Sequence, residues 1–244
     1  MNKIKIIGCG GIASWLLPPL CQYLNYTLRE GCEVSLIDGD VYEERNRERQ
    51  VFNRNGNKAE VTADRLRVEF PNIFFWPHPA FLTDANVVQL VRDGDVVFSC
   101  VDNHATRKLV SERAEELDNI LLISGGNDFT DGNIQVHQKR DGKDVTLPIA
   151  NRYHPEISQP KDKNPGDEPV VHHMSCQELQ VVAPQLIFTN NRIAAEMLAC
   201  YYVVMMGKLK YDEVFIDLMT GNTQPKKDGQ RVQLVDQSQI TFED

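Results

Sequence analysis

The chain has 244 residues, a net charge of -9 at pH 7, 41% hydrophobic and 25% charged residues. This length can bury a core without disulfide staples, and this composition argues against a disordered chain. The acidic balance does not favour a nucleic-acid-binding face, and every long apolar stretch is interrupted well short of a membrane span. The six cysteines include no CxxC pair, which predicts reduced thiols in a cytoplasmic protein. The sequence enters a predicted strand at once, so we expect no signal peptide.

The first strand and the turn after it form the leading motif. Ile4, Ile6 and Ile7 are followed by Gly8, Gly10 and Gly11, and an apolar helix is predicted from Ile12. A glycine turn between a strand and a helix lets backbone N–H groups approach a phosphate. Such strings also occur by chance, so the turn alone leaves nucleotide binding open.

The first predicted helix runs from Ile12 to Glu30 and contains two prolines. Pro18 and Pro19 would each cost about 3 kcal/mol in a helix interior, which predicts a kink or a late restart. Strand two is predicted from Glu33 to Ile37 and delivers Asp38 at its end. That is where a Rossmann-type sheet places its ribose-binding carboxylate, although a simple turn aspartate is equally compatible.

A charged stretch follows strand two, from Asp38 through Asp40 and Asn46 to Gln50. It could be an ordinary solvated loop. Its place opposite the glycine turn makes it a candidate for holding a triphosphate. Arg49 can donate two hydrogen bonds to phosphate oxygens, and Lys58, which opens a predicted helix to Val68, can add a point charge.

The clearest buried strand is Asp95 to Val101, and it delivers Asp102 and Asn103 at its carboxyl end. Ligands bind beyond the carboxyl ends of strands in doubly wound sheets, and carboxylate oxygens suit Mg²⁺, so Asp102 is a candidate metal ligand. Asp102 could also be the N-cap of the next helix. The other predicted strands are 74–77, 120–124, 133–137, 144–147 and 213–218, and the other helices are 85–91, 105–117 and 181–207.

The second half of the chain is less regular. The strands 133–137 and 144–147 flank an Asp141-Gly142 turn, which predicts a hairpin. Residues 149–169 are rich in Pro, Asp, Lys and Asn and predict a long crossover loop, a kind of segment that is usually functional or mobile. Cys176 follows this loop, and the last stretch, from Thr220, is polar with one strand-like run at 232–235.

Together these motifs resemble the ThiF/MoeB/ubiquitin-activating-enzyme superfamily. The shared pattern is a glycine-rich turn, a D-x-D-x-V motif with N-x-x-R-Q shortly after it, a lysine that opens a helix, and Asp-Asn after an apolar strand. The residues that match it here are Gly8, Gly10, Gly11, Ser14, Asp38, Asp40, Val41, Asn46, Arg49, Gln50, Lys58, Asp102 and Asn103. The order and spacings fit through most of residues 4–220.

The resemblance implies a single adenylation domain over residues 1–244, with a nucleotide-binding half at 1–125 and a second half at 126–244. The implied fold is α/β, a Rossmann-like, doubly wound and mostly parallel sheet with a C-terminal antiparallel extension and a long crossover loop. The implied reaction joins ATP to a carboxylate with release of pyrophosphate. The carboxylate is usually the C-terminal glycine of a small ubiquitin-like or sulfur-carrier protein. Members are usually dimeric, here as a homodimer or a heterodimer.

The resemblance also assigns roles to individual residues. Gly8, Gly10, Gly11 and Asp40 would contact the nucleotide, and Asp38 would hold its ribose. Phosphates would contact Asn46, Arg49 and Lys58, and Mg²⁺ would bind Asp102 beside Asn103. The catalytic set is then Arg49, Lys58, Asp102 and Cys176.

Cys176 has three interpretations. Some members of the superfamily use a cysteine in this region to take the acyl group, and here Ser175-Cys176 precedes a helix that carries Ala195-Glu196. A thiol near His172 and His173 at a helix start could have a lowered pKa. It could instead be a packing cysteine at a loop–helix junction, or part of a His-His-x-x-Cys zinc site.

Three features depart from the superfamily pattern. The paired CxxC zinc site of many bacterial members is absent, and the spacing from Arg49 to Lys58 is shorter by about one helical turn. An N-terminal helix that supplies an arginine to a partner's site is not seen, so Arg45, Arg47, Arg152 or a partner subunit would have to replace it. The alternatives to an adenylating enzyme are a non-catalytic nucleotide-binding partner and an NAD-dependent oxidoreductase.

Overall fold

The computed structural model describes residues 3–27, 31–48, 50–149, 154–167 and 186–227, without the side chains of Arg45 and Glu48. Within these residues, nine strands form one large sheet and two short strands form a second. The strands are β1 (Lys3–Ile7), β2 (Cys32–Ile37), β3 (Val41–Tyr42), β4 (Gly56–Asn57), β5 (Ile73–His78), β6 (Val96–Ser99), β7 (Ile120–Asn127), β8 (Asp131–Arg140), β9 (Lys143–Asp144), β10 (Glu213–Asp217) and β11 (Asn222–Lys226). The helices are α1 (Gly11–Thr27), α2 (Lys58–Glu69), α3 (Val87–Leu90), α4 (His104–Glu116), α5 (Pro155–Ser158) and α6 (Ile187–Met205).

The order of strands in the large sheet is β11-β10-β8-β7-β6-β1-β2-β5, and β9 pairs with β8. The five strands from β7 to β5 are parallel. β1 is hydrogen-bonded to both β2 and β6, with Ile6 opposite Leu36 on one side and Phe98 on the other. The chain therefore turns in opposite directions on the two sides of the β1–β6 boundary, which is a topological switch point where such sheets bind ligands.

The other half of the sheet is antiparallel. β8 pairs with β7 over eight residues and with β10 on its other side, and β11 closes the edge. The predicted class, a mostly parallel doubly wound sheet with a C-terminal antiparallel extension, is confirmed.

Apolar side chains cover both faces of this sheet. One cluster packs α1, α2 and α6 against strands that include Ile6, Leu36 and Ile134. The other packs α3, α4 and α5 against Ile7, Val97 and Leu122. Alternate residues of the central strands thus point to opposite covered faces, as the near-continuous apolar sequence of buried parallel strands requires.

The expected restart at Pro18 and Pro19 is wrong, because α1 is continuous from Gly11 to Thr27. Pro19 is exposed and Pro18 is half-buried, whereas Leu16, Leu17 and Leu20 are fully buried. Burial of these leucines stabilises the continuous helix and offsets the cost of the prolines.

The hairpin at Asp141-Gly142 is present, but the predicted bounds of its second strand are wrong. β9 has only two residues, Lys143 and Asp144, instead of a strand from 144 to 147. β8 is in contrast much longer than predicted, since it pairs with β7 before it reaches the turn. β11 was not predicted because its sequence, NTQPK, has no apolar alternation and contains Pro225. The predicted helix start at 181 and the strand-like run at 232–235 lie outside the described residues.

The five cysteines in the described part of the chain are buried, and none of them forms a disulfide there, which agrees with the prediction of reduced thiols. In the same part of the chain, no helix combines the length and the apolar character that crossing a bilayer requires.

Candidate nucleotide-binding site

Three segments meet at the carboxyl ends of β1, β2 and β6. They are the glycine turn after β1, the Asp38-Gly39-Asp40 segment after β2, and Asp102 after β6. Because these strands are neighbours and parallel, their carboxyl ends share one edge of the sheet at the switch point. The residues that the sequence singles out are therefore assembled around one place.

The glycine turn has a backbone that suits close approach. Gly8 has φ +85°, and a Cβ there would lie 2.9 Å from Val101 Cγ1, so only glycine fits. Gly8 N donates to Ile37 O at 2.9 Å, which fixes the turn to β2. Ser14 N donates to Gly10 O at 3.0 Å, so Gly10 already belongs to the first turn of α1. The amino end of α1 is thereby placed at the switch point, where its partial positive charge favours an anion.

Gly10 and Gly11 serve different purposes. A Cβ on Gly11 would overlap Asn190 of α6, so this glycine allows α1 and α6 to pack closely. Asn190 is fully buried and accepts a hydrogen bond from Asn127 Nδ2 at 3.0 Å. A Cβ on Gly10 would meet only Gln50 Nε2, at an ordinary 3.8 Å. Gly10 is therefore the position that is free to change without a packing clash.

Asp38 is a buried carboxylate that holds the two loops together. Its Oδ2 accepts from Cys9 N at 2.6 Å, and its Oδ1 accepts from Asp40 N at 2.8 Å. Burial raises the pKa of Asp38 to about 6, against the attraction of Lys58 and the two backbone hydrogen bonds. Each oxygen keeps a lone pair, so the carboxylate can still accept from a ribose hydroxyl.

Lys58 is the buried cation of the site. Its Nζ lies 3.0 Å from Asp40 Oδ2, and its side chain is 7% exposed against 54% for Asp40. Burial alone would lower the pKa of Lys58, but Asp38 and Asp40 together outweigh it and the pKa is raised. The ammonium group is therefore charged at neutral pH and lies beside the glycine turn.

Asn57 positions Lys58 and was not predicted to matter. Its Oδ1 caps α2 by accepting from Ala59 N at 2.9 Å and Glu60 N at 3.2 Å. Its Nδ2 donates to Asp38 O at 2.9 Å and Asp40 O at 3.1 Å. One amide therefore joins the start of α2 to both aspartates. The sequence signal was Gly-Asn directly before a predicted helix, which is typical of an N-cap.

Asp102 lies at the carboxyl end of β6 and is exposed. Its negative charge raises the pKa of Lys58 and, from the other side, opposes the lowering of the Arg107 pKa by burial. Arg107 is almost fully buried and donates to Val101 O and Gly125 O, each at 3.0 Å or less. Gly125 and Arg107 thus fix the backbone immediately before Asp102.

The alternative that Asp102 is the N-cap of α4 is wrong, because Asn103 has that place. Asn103 Oδ1 accepts from Thr106 N at 2.8 Å, and its Nδ2 donates to Lys163 O at 2.8 Å. The carboxylate of Asp102 is therefore not used to cap the helix. Asn103 contacts protein groups with both ends of its amide, and its assignment to the cofactor stays a prediction.

The segment between Asp40 and Lys58 contributes two buried side-chain amides, those of Asn46 and Gln50. Asn46 is 2% exposed and lies in the 3₁₀ helix Glu44–Glu48. Its Oδ1 accepts from the N–H of Glu43, the residue before this helix, at 2.8 Å. Gln50 is also buried, and its Oε1 has no hydrogen-bond partner within the described residues. Arg47 pairs with Glu44 at 2.7 Å and lies over the Phe52 ring, 4.6 Å from its centre.

Several predicted residues lie outside the described part of the chain. These are Arg49 and Cys176, with Arg152, His172 and His173. Their proposed roles stay predictions.

The donor set fits a magnesium ion bound together with a nucleotide. Among the described residues, no group of three or more His, Cys, Asp or Glu side chains could hold a metal ion alone. Mg²⁺ in nucleotide sites needs only one or two carboxylates, because substrate phosphates and waters complete its shell. The exposed oxygens of Asp102 satisfy that requirement.

Comparison with known families decides the affiliation. The model of the ThiF family matches residues 1–238. The chain belongs to the ThiF family. The resemblance of the chain to this superfamily is thereby confirmed.

Curated relatives of this ThiF-family chain are larger proteins. The "adenylyltransferase and sulfurtransferase uba4" of Aspergillus terreus is 32% identical over 139 residues, which are 55% of this chain and 27% of the relative. That of Meyerozyma guilliermondii is 26% identical over 200 residues, 80% of this chain and 42% of the relative. The "adenylyltransferase and sulfurtransferase MOCS3" of Drosophila sechellia is 30% identical over 146 residues, 58% and 30%. The chain thus spans less than half the length of these relatives.

Solved structures share the fold. Escherichia coli MccB with ATP superposes with a TM-score of 0.68 at 18% identity and covers 93% of this chain and 65% of MccB. MccB with AMPCPP and the selenomethionine form of MccA gives a TM-score of 0.67 at 19% identity, over 93% and 65%. At this identity the likeness establishes the fold alone.

Proposed function

We propose that this ThiF-family chain is an ATP-dependent adenylyltransferase that activates a carboxylate. The observation that carries the proposal is that the buried Asp38, the buried Lys58 and the exposed Asp102 converge on the glycine turn at the switch point. The names of the uba4 and MOCS3 relatives, and the ATP that MccB binds, support it. We take residues 1–244 as one adenylation domain.

Each residue has a chemical role in this proposal. The Asp38 carboxylate accepts from the ribose hydroxyls, and backbone N–H groups of the turn at Gly10 and Gly11 donate to phosphate oxygens. The Lys58 ammonium stabilises negative charge on the triphosphate, and Asn46 and Arg49 complete the phosphate contacts. Asp40 holds Lys58 in place until the nucleotide arrives.

The metal would be Mg²⁺ held by Asp102. It would neutralise charge on the phosphates of ATP as pyrophosphate leaves.

The reaction is a displacement at the α-phosphorus of ATP. An oxygen of the acceptor carboxylate forms a bond to that phosphorus while the bond to the bridging oxygen of the β-phosphate breaks. The products are an acyl-adenylate and pyrophosphate. Negative charge accumulates on the phosphate oxygens in the transition state, so a fixed cation such as Lys58 lowers the barrier.

The acceptor that we propose is the C-terminal glycine of a small ubiquitin-like or sulfur-carrier protein. The names of the uba4 and MOCS3 relatives, which join adenylyltransferase to sulfurtransferase, favour a carrier. In a second step, the Cys176 thiolate would attack the acyl carbon of the adenylate and form a thioester, and AMP would leave. The working form would be a homodimer or a heterodimer in the cytoplasm. Neither nucleic acid nor a membrane is part of this proposal.

Intact-mass measurement of a candidate carrier tests the proposal. The carrier is incubated with the full chain, ATP and Mg²⁺, and the expected product is the carrier plus one AMP. A carrier that lacks its terminal glycine is the control and should gain no mass. If no carrier gains AMP and NAD stabilises the chain against heat while ATP with Mg²⁺ does not, the chain is an oxidoreductase and the proposal is wrong.

A second mass measurement addresses Cys176. A thioester adduct between the carrier and the wild-type chain, cleaved by an added thiol, is expected, and Cys176→Ala should lose it while it still forms the adenylate. An adduct that persists in Cys176→Ala would remove this residue from the transfer step.

A further inference from the structure

The amino end of α4 is closed by a residue from a distant part of the chain. Asp162 Oδ2 accepts from His104 N at 2.7 Å, and its Oδ1 accepts from Ala105 N at 2.9 Å. Asn103 supplies the other two acceptors, to Thr106 N at 2.8 Å and to Arg107 N at 3.2 Å. The Arg107 bond is the first one within the helix, whereas the N–H groups of His104, Ala105 and Thr106 have no partner within it. Asp162 satisfies two of these three.

This helix start lies next to the proposed metal ligand. Asp102 is two residues before His104, so the backbone that carries its carboxylate is fixed by the first turn of α4. Asn103 Nδ2 also donates to Lys163 O at 2.8 Å, which adds a second bond from the same crossover segment. The segment around Asp162 is thus bonded to both residues that follow Asp102.

The same segment reaches the other wall of the site. Gly166 lies against Thr83 and Phe81, since a Cβ there would overlap Thr83 Cγ2 and come within 3.1 Å of Phe81 Cβ. The Phe81 ring lies against Gly39, where a Cβ would come within 2.6 Å of Cδ2. Gly39 is the residue between Asp38 and Asp40. Residues 162–166 therefore connect the Asp102 wall to the Asp38 wall.

We propose that Asp162 is a positioning residue of this site, which orients Asp102 for metal–nucleotide binding by closing the first turn of α4. The inference rests on the proposed function, because it takes Asp102 as the magnesium ligand. Asp162 also neutralises the positive end of the α4 dipole, so the triphosphate is drawn towards α1 and Lys58 instead of towards α4. Both Asp102 and Asp162 act on the buried Arg107, which places their charges in one electrostatic neighbourhood.

The alternative role of Asp162, to block a phosphate site at the start of α4, predicts the opposite change in ATP affinity. If its carboxylate only occupied an anion site, its removal would free two N–H groups for a phosphate. ATP would then bind more tightly to an Asp162 variant, not more weakly. The sign of the change in affinity therefore separates positioning from blocking.

The test uses the full chain with Asp162→Ala and Asp162→Asn, with Asp93→Ala as a matched control. Asp93 also accepts from two backbone N–H groups, Asp118 N at 2.9 Å and Asn119 N at 2.6 Å, but it lies before β6, at the opposite end of the strand. Calorimetric ATP titrations are made at several Mg²⁺ concentrations. Hydrogen exchange of the His104 and Ala105 amides is followed without nucleotide.

Hydrogen exchange of the two amides should be faster in Asp162→Ala than in the wild type. In the Asp93→Ala control it should be as slow as in the wild type. The Mg²⁺ concentration for half-maximal ATP binding should rise about tenfold in Asp162→Ala, because the backbone that carries Asp102 is no longer held by the closed first turn of α4. Asp162→Asn keeps one oxygen and should give an intermediate value, which also serves if the alanine variant does not fold.

Unchanged or tighter ATP binding in both Asp162 variants would overturn the inference. Asp102→Ala distinguishes this outcome from failure of the proposed function. If Asp102→Ala loses magnesium-dependent binding while the Asp162 variants keep it, only the positioning role is wrong. If Asp102→Ala binds as the wild type does, the metal site itself is wrong and the positioning role falls with it.

Discussion

Lys58 Nζ and Asp40 Oδ2 are 3.0 Å apart, and the lysine is buried while the aspartate is exposed. The same ammonium also interacts with the buried Asp38. One cation is therefore shared between a carboxylate that the fold needs and a carboxylate that water can reach. A nucleotide phosphate could replace Asp40 as the exposed partner without leaving Asp38 unpaired, which is the arrangement that the proposed chemistry requires.

Lys58→Met should reduce both stability and ATP binding. The variant removes the cation whose charge opposes the cost of burying the Asp38 carboxylate, which should lower the free energy of unfolding by about 1–3 kcal/mol. ATP affinity should fall at least about tenfold, because a charge-assisted contact to phosphate is lost. Urea denaturation and ATP titration measure the two effects. Lys208→Met, at an exposed position, is the control and should change neither.

The Asp38 carboxyl should make stability fall with rising pH over a defined window. Burial raises its pKa to about 6 in the folded chain, whereas an unfolded aspartate titrates near 3.9. Between these values the folded state binds more protons, so the contribution of Asp38 is complete below about pH 4 and is lost as the pH rises through about 6.

The comparison of wild type with Asp38→Asn isolates this contribution. The difference between their unfolding free energies should fall by roughly 1–3 kcal/mol from pH 4 to pH 7. Chemical denaturation at half-unit steps of pH measures it. A difference that rises with pH would mean that the pKa of Asp38 is lowered by Lys58 more than it is raised by burial.

Two substitutions of Asn57 should separate its role as the cap of α2 from its role in holding Asp38 and Asp40 in the site. Asn57→Ala removes the cap of α2 and should cost about 1–2 kcal/mol. Asn57→Ser restores an acceptor for the Ala59 and Glu60 amides but not the donors to Asp38 and Asp40. The serine variant should therefore recover most of the stability but not the ATP affinity. Equal recovery of both would show that Asn57 acts only as a cap.

The glycine turn should respond differently at two adjacent positions. Gly11→Ala places a methyl group on Asn190 and should destabilise the chain by about 1–3 kcal/mol. Gly10→Ala meets only Gln50 Nε2 at 3.8 Å and should fold normally, yet it should weaken ATP binding if the turn faces phosphate. Thermal denaturation and ATP titration of both variants check this. Normal ATP affinity in Gly10→Ala would mean that phosphate does not lie against the turn.

Short-range patterns predicted the parallel half of the fold well. Apolar runs such as 95–101 form strands because they are buried on both faces, and α2 begins at Lys58 because Asn57 caps it. The placement of Asp38 and Asp102 at the carboxyl ends of the two strands that flank β1 followed from the order of strands in such sheets.

Contacts between residues remote in sequence could not be predicted from local sequence patterns. Asp162 lies in a polar stretch without periodicity, and its bonds to α4 join residues 57 and 58 positions apart. The clash that makes Gly11 necessary comes from Asn190 on the last described helix. β11 is a strand because it pairs with β10, and its mostly exposed side chains give no apolar pattern from which the strand could be predicted. Each of these depends on a partner that is remote in sequence.

ATP–pyrophosphate exchange tests the central claim most directly. Labelled pyrophosphate is incubated with the full chain, ATP, Mg²⁺ and a small carrier protein that ends in glycine. The account predicts label in ATP that depends on the terminal glycine, with Asp102→Ala folding normally but losing the exchange. Exchange that survives in Asp102→Ala, or its absence from the wild-type chain with carriers of this class, would contradict the account.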